Sequence, residues 1–247
     1  MNMKQLKIFI AFLFIANVSN SQTIFHNTVK IEFEKTVYVR QLYKESIPRW
    51  YETIKARLPE TMVTYFDFIG DSTKSIFKPG REVKQDPRMI NEFAADKNQV
   101  YTDFKTGKLI AQKPIYEETF LVDDTLSKIR WKLTSDTRMI AGYECRKAVG
   151  ILNDSIGVFA FYTDEIMVSG GPESITGLPG MILGMGIPKI HATWFATKVE
   201  VNNINMNAVT PATKGKKVTT KTMTESLERV FKSWGEEGKK LLLIYAI

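Results

Sequence analysis

Val29-Lys30-Ile31-Glu32-Phe33-Glu34, carried on by Lys35-Thr36-Val37-Tyr38-Val39, alternates apolar with charged side chains at a period of two. Successive side chains of a strand point to opposite faces, so this stretch reads as one long strand with a buried face and a wet one.

The same period recurs down the chain. Residues 62–69 read as a strand ended by Gly70-Asp71-Ser72, with Ser75-Ile76-Phe77 as a short partner stopped by Pro79-Gly80. Residues 99–104 and 108–111, about the turn Lys105-Thr106-Gly107, read as a hairpin. Residues 115–122 and 129–133 continue the meander, with a turn at Asp123-Asp124-Thr125 between them. Thr137 to Gly142 leads into a strand over 143–150, and Asn153-Asp154-Ser155 turns into 156–163, with Val158, Ala160 and Tyr162 on one face. Strands over 181–187 and 190–201 come next.

Helical signals are few. Residues 48–58 are preceded by Ser46, carry Pro48 early and stop at Pro59. Leu227, Val230, Phe231 and Trp234 fall at helical spacing behind Thr224 as N-cap, and Gly235 and Gly238 weaken the second half of that helix. Residues 81–97 and 202–217 read as loops. The fold class is therefore mainly β (α+β): one broad curved antiparallel sheet or half-barrel with a few short helices.

The N-terminus has the layout of a secretory signal peptide. Lys4 and Lys7 precede an apolar core over 8–16, and small residues at Ser19 and Ser21 place cleavage before Gln22. That core is shorter than the ~20 residues a membrane span needs. The expected division is a signal peptide over 1–21 and a single β-rich domain over 22–247. The expected location is the periplasm, the cell envelope or the medium, with no transmembrane span after cleavage.

The only cysteine, Cys145, excludes an internal disulfide and a lipid-bearing cysteine at the cleavage site. It sits between Glu144 and Arg146, so it reads as an inward-facing small hydrophobe. The net charge of +7 falls to +5 without Lys4 and Lys7, and its densest patch, Lys214, Lys216 and Lys217, has no interleaved aromatics. A nucleic-acid partner is not expected.

No catalytic constellation of a common kind is present. His26 and His191 lack zinc-type spacing, so neither a metal nor a cofactor is expected. Ser174 lacks the glycines of a nucleophile elbow, and no phosphate-binding glycine loop occurs. Glu117-Glu118 and Asp123-Asp124 are adjacent pairs, which a strand turns to opposite faces. Trp50, Tyr51, Trp131, Phe161, Trp194 and Phe195 read mostly as core, and a curved sheet can instead use such residues to enclose an apolar ligand.

Gly177-Leu178-Pro179-Gly180-Met181-Ile182-Leu183 is a proline between glycines with an apolar run behind it. It reads as a tight structural turn that feeds a buried strand. The stretch resembles the motif that names the GLPGLI family of exported proteins from gram-negative bacteria, with Met181 in place of leucine. Gly142-Tyr143-Glu144-Cys145-Arg146-Lys147-Ala148, Phe161-Tyr162-Thr163 and Gly171-Pro172 resemble further family segments in the same order. The resemblance runs over about 129–199 and implies export, a mostly β architecture and no assigned enzyme activity. The sheet-rich pattern is also similar, at fold level, to half-barrel carriers of acyl ligands.

Two functions are expected from these features. The first is an exported non-enzymatic envelope protein that binds an apolar ligand or a protein partner. The alternative is a secreted hydrolase of peptides or glycans that uses Asp164, Glu165 and Glu173 beside the motif loop.

Overall fold

The computed structural model describes residues 26–83, 94–153 and 155–247. The signal peptide over 1–21, most of the loop reading over 81–97 and Asp154 of the turn at 153–155 lie outside the described residues.

Among the described residues twelve strands form one sheet. They are β1 (Thr28–Val37), β2 (Met62–Asp71), β3 (Lys74–Pro79), β4 (Gln99–Asp103), β5 (Lys108–Ile115), β6 (Glu118–Thr125), β7 (Arg130–Ile140), β8 (Tyr143–Leu152), β9 (Ile156–Thr163), β10 (Met181–Ile187), β11 (Ala192–Glu200) and β12 (Lys216–Val218). Their order across the sheet is β12-β6-β5-β4-β3-β2-β1-β11-β10-β9-β8-β7. Pairing is antiparallel throughout except for β12 on β6, and β12 and β7 are the two edges. The helices are α1 (Val39–Ser46), α2 (Pro48–Ile54), α3 (Thr220–Phe231) and α4 (Gly235–Ala246).

Alternation in β1 is strict: Val29, Ile31, Phe33, Lys35 and Val37 are buried, and the residues that alternate with them are only partly covered. Leu42 of α1, Met223, Leu227 and Phe231 of α3, and Ile244 and Tyr245 of α4 join the same core as the strands' inward residues. The inward face is thus closed by packed side chains and helices.

Strand β10 is buried along its whole length. Its outward side carries Gly184 and Gly186, where a Cβ would come within 2.6 Å of Phe195 Cε1 and 2.3 Å of Phe159 Cζ respectively. The end of β7 reaches the same place: Arg138 lies over the Phe195 ring at 4.7 Å, although β8, β9 and β10 separate β7 from β11 in the sheet. The β7–β8 hairpin therefore folds back over the outer face, and the register shift between Leu133 and Thr137 marks the bend.

Several expectations are corrected. The first strand ends at Val37, and Val39 opens α1 instead. Val39, Leu42 and Ser46 lie at helical spacing and are its buried residues, so the same valine fits both patterns. Residues 115–122 are not one strand, because Tyr116 adopts a left-handed backbone (φ 53°) and a turn there makes β5 and β6 a hairpin. Asp123-Asp124-Thr125 belongs to β6, and Thr137 to Ile140 belong to β7. The third helix starts earlier than expected, with Thr219 rather than Thr224 as its cap: Thr219 Oγ1 accepts from the Thr222 N–H at 3.2 Å. A second C-terminal helix, α4, begins at Gly235, whose φ of 60° breaks the first. His191 sits in a left-handed turn (φ 50°) ahead of β11, not in the strand. Trp50 is 67% exposed and is not a core residue, whereas Trp194 is buried.

Candidate functional site

Two lysines occupy inward positions of the sheet. Lys35 comes after Val29, Ile31 and Phe33 in the buried frame of β1, and Lys113 after Leu109 and Ala111 in that of β5. A lysine is almost never fully buried unless its charge is answered. Lys35 Nζ donates to Asp96 Oδ1 at 2.8 Å and lies over the rings of Phe66 and Trp194 at 5.8 and 5.6 Å. Asp96 Oδ2 accepts from Thr64 Oγ1 at 2.9 Å. Lys113 Nζ donates to the Tyr245 carbonyl at 2.8 Å, which ties β5 to the end of α4.

Glu173 completes the cluster. It is buried, and its backbone is left-handed (φ 55°), which is unusual for a residue with a Cβ. Burial raises its carboxyl above the ordinary carboxylate range, while the charges of Lys35 and Lys113 and the nearby amide of Asn98 pull it down. Its Oε2 has no hydrogen-bond partner among the described residues, nor has either side-chain polar atom of the buried Asn98 in good geometry. Burial also drives Lys113 down to about 8, opposed only in part by Glu173.

Asp96 connects this cluster to the surface. A cleft of about 520 Å³ opens above it, lined by Tyr43 of α1, Asp96 and Lys97, Tyr116 of the β5–β6 turn, and Glu237 and Tyr245 of α4. Tyr116 is 64% exposed, and its ring meets those of Phe231 and Trp234 edge-on at 6.2 and 6.1 Å. Trp234 is itself exposed and lies beside Tyr116, outside the residues that line the cleft. Desolvation raises the Tyr43 and Tyr116 hydroxyls above the ordinary phenol range, and the nearby Glu237 carboxylate adds to this in both. The phenols stay protonated and can donate. The cleft thus offers flat apolar ring faces beside fixed acceptors and a cation.

The motif residues lie elsewhere, in a turn that leads into β10. Gly177 and Gly180 have φ of 95° and 142°, and a Cβ on Gly180 would meet the Thr163 carbonyl oxygen at 2.0 Å. Leu178 is buried and its carbonyl accepts from Ser169 Oγ at 2.7 Å. Pro179 is exposed at the tip, and Met181, Ile182 and Leu183 are fully buried. Trp131 Nε1 closes the loop from outside by donating to the Thr176 carbonyl at 2.9 Å.

The three carboxylates named with the hydrolase expectation do not share surroundings. Asp164 is exposed beside Arg146 at 3.5 Å, Glu165 neighbours Tyr143 and Cys145, and only Glu173 enters the buried cluster. Cys145 is buried, and desolvation with the Glu165 and Glu144 charges pushes its thiol up to about 12, where it is no nucleophile. Of the two histidines, His191 Nε2 sits 3.0 Å from Glu45, and His26 bridges to Ile166 through the backbone. Among the described residues no three His, Cys, Asp or Glu side chains gather as a metal site would require. No described helix is long and apolar enough to cross a membrane.

Sequence reasoning missed Lys35, Asp96, Asn98 and Lys113. The two lysines had a signal, a charge in the inward frame of an alternating strand. Asp96 and Asn98 had none.

Known proteins point one way. The family described as N-glycanase peptide, N-terminal domain matches residues 87–233, more than half of the chain. The structure of PNGF-II in the C2 space group superposes with a TM-score of 0.51 at 17% identity, covering 81% of this chain and 32% of that one. The P21 form gives a TM-score of 0.52 at 17% identity, over 81% and 33%. This chain thus spans about a third of the length of the PNGF-II chains it matches. No curated protein matches it.

Proposed function

We propose that this chain, which belongs to the N-glycanase peptide, N-terminal domain family, is an exported glycan-binding domain that does not itself cleave its ligand. The observation that carries this reading is the cleft above Asp96. Tyr43 and Tyr116 supply ring faces on which the C–H faces of a sugar stack, and Asp96, Lys97 and Glu237 supply partners for its hydroxyls. Asp96 is held as a rigid acceptor by Lys35 and Thr64, so the site is organised before the ligand arrives. The family's name supports a glycan or a glycan-bearing peptide as the ligand class.

The mixed lining favours such a ligand over an apolar one, because the inward apolar face is already packed. Resemblance to the exported GLPGLI proteins supports location in the cell envelope. Of the hydrolase reading's Asp164, Glu165 and Glu173, only Glu173 enters the buried cluster, where burial pushes its carboxyl toward the neutral form near Asp96, a carboxylate paired with a cation. Glu173 is not among the residues that line the cleft, which weighs against it.

Incubating equimolar protein with an Asn-linked glycopeptide and recording the peptide mass separates the two. An unchanged mass, with binding lost in Tyr116→Ala, is the expected result. Release of the glycan, abolished by Glu173→Gln, would overturn it in favour of a hydrolase.

A further inference from the structure

We infer that α2 and the turn after it form a docking surface for an anionic lipid membrane. Helix α2 buries none of its seven residues. Only Tyr51 and Ile54 pack, in part, against the core, and Trp50 stands 67% exposed on the helix. An indole pairs a broad apolar ring with one N–H, and it settles at the boundary between hydrocarbon and water.

The charges around it that lack an ion-pair partner are mostly cationic. Lys44, Arg49 and Arg57 are exposed and form no ion pair among the described residues. Two of the three carboxylates of the same stretch are answered from elsewhere or locally: Glu45 lies 3.0 Å from His191 Nε2 and 2.8 Å from Lys240 Nζ, and Glu52 pairs with Lys55, while the exposed Glu60 sits at the far end of the turn. An uncompensated cationic patch around one exposed tryptophan is complementary to a negatively charged bilayer surface, and each cation there strengthens binding about fivefold. A helix this short and this exposed lies on the surface and does not span it. The net charge of +5 that is left without Lys4 and Lys7 adds long-range attraction of the same sign. This docking is independent of the glycan cleft.

The test is co-sedimentation of the chain, purified after export, with vesicles of 30% phosphatidylglycerol in phosphatidylcholine and with pure phosphatidylcholine vesicles. Binding is expected only to the anionic vesicles and is expected to vanish in 0.5 M salt. Arg49→Gln with Arg57→Gln should weaken it roughly twentyfold. Trp50→Ala should weaken it at least severalfold with an unchanged melting temperature, since the indole is exposed. Quenching by lipids brominated on their chains should fall in Trp50→Phe. Failure to bind anionic vesicles, equal binding to neutral ones, or binding untouched by these substitutions would overturn the inference. So would a dimer, seen by native mass spectrometry, that Trp50→Ala dissolves, because that result assigns the face to a second copy.

Discussion

Lys35 Nζ and Asp96 Oδ1 meet at 2.8 Å across 61 residues of sequence, and this contact joins the C-terminal end of β1 to the turn beneath the cleft. Their side chains are 2% and 9% exposed. Removing one partner from such a pair leaves a charge without an answer in the interior, at about 3–5 kcal/mol. Asp96→Ala should therefore lower the urea-unfolding free energy by that order. Lys35→Met with Asp96→Leu should recover most of it. A double variant as unstable as the single one would show that the pair is not what the stability depends on.

The second charged contact gives a pH dependence. Burial lowers Lys113 from 10.5 to about 8 in the folded state. Between those values the unfolded chain binds the extra proton, so stability rises as pH increases from about 8 to 10.5. Below pH 8 the buried charge is present and its full cost, on the order of 3 kcal/mol, is felt. Lys113→Met removes the titration and loses one hydrogen bond to Tyr245. Its stability should exceed or equal that of the wild type at pH 7 and fall behind in relative terms as pH climbs to 10. Stability curves that run parallel over pH 7–10 would contradict this assignment.

The motif turn should be graded by space, not by glycine alone. Gly180 and Gly142 both have positive φ, but only Gly180 has a carbonyl oxygen 2.0 Å from where a Cβ would stand. Gly142→Ala should cost about 1–2 kcal/mol, the penalty of the left-handed backbone. Gly180→Val and Leu183→Asp should cost more, enough to lower melting temperature and export yield before any binding is affected. Unchanged melting in both would return the loop to an exposed recognition role.

The sheet was legible because strands with one buried face repeat at a period of two, as β1, β5 and β9 do. Three features escaped that logic. Val39 completes the alternation of β1 yet also starts the 39, 42, 46 spacing of α1, and tertiary packing chose the helix. The Tyr116 turn uses no glycine, asparagine or proline at its left-handed position, so nothing local announces it. Helix α4 hides behind Gly235 and Gly238, whose low helix propensity is overruled by burying Ile244 and Tyr245. The candidate site was half legible. Lys35 and Lys113 each break an inward apolar frame at a readable position, whereas Asp96, Asn98 and Glu173 reach them only through the fold. Exposed Trp50 shows the converse, since an aromatic within a helical pattern carries no mark of the face it takes.

Titration calorimetry of the exported chain with an Asn-linked glycopeptide, and with the same peptide after glycan removal, addresses the central claim directly. Saturable binding of one glycopeptide per chain is expected, with no heat from the bare peptide, and loss of binding in Tyr116→Ala and in Glu237→Gln while both variants melt as the wild type does. Equal binding of the two peptides, or binding that survives both substitutions, would contradict a glycan site in the cleft above Asp96.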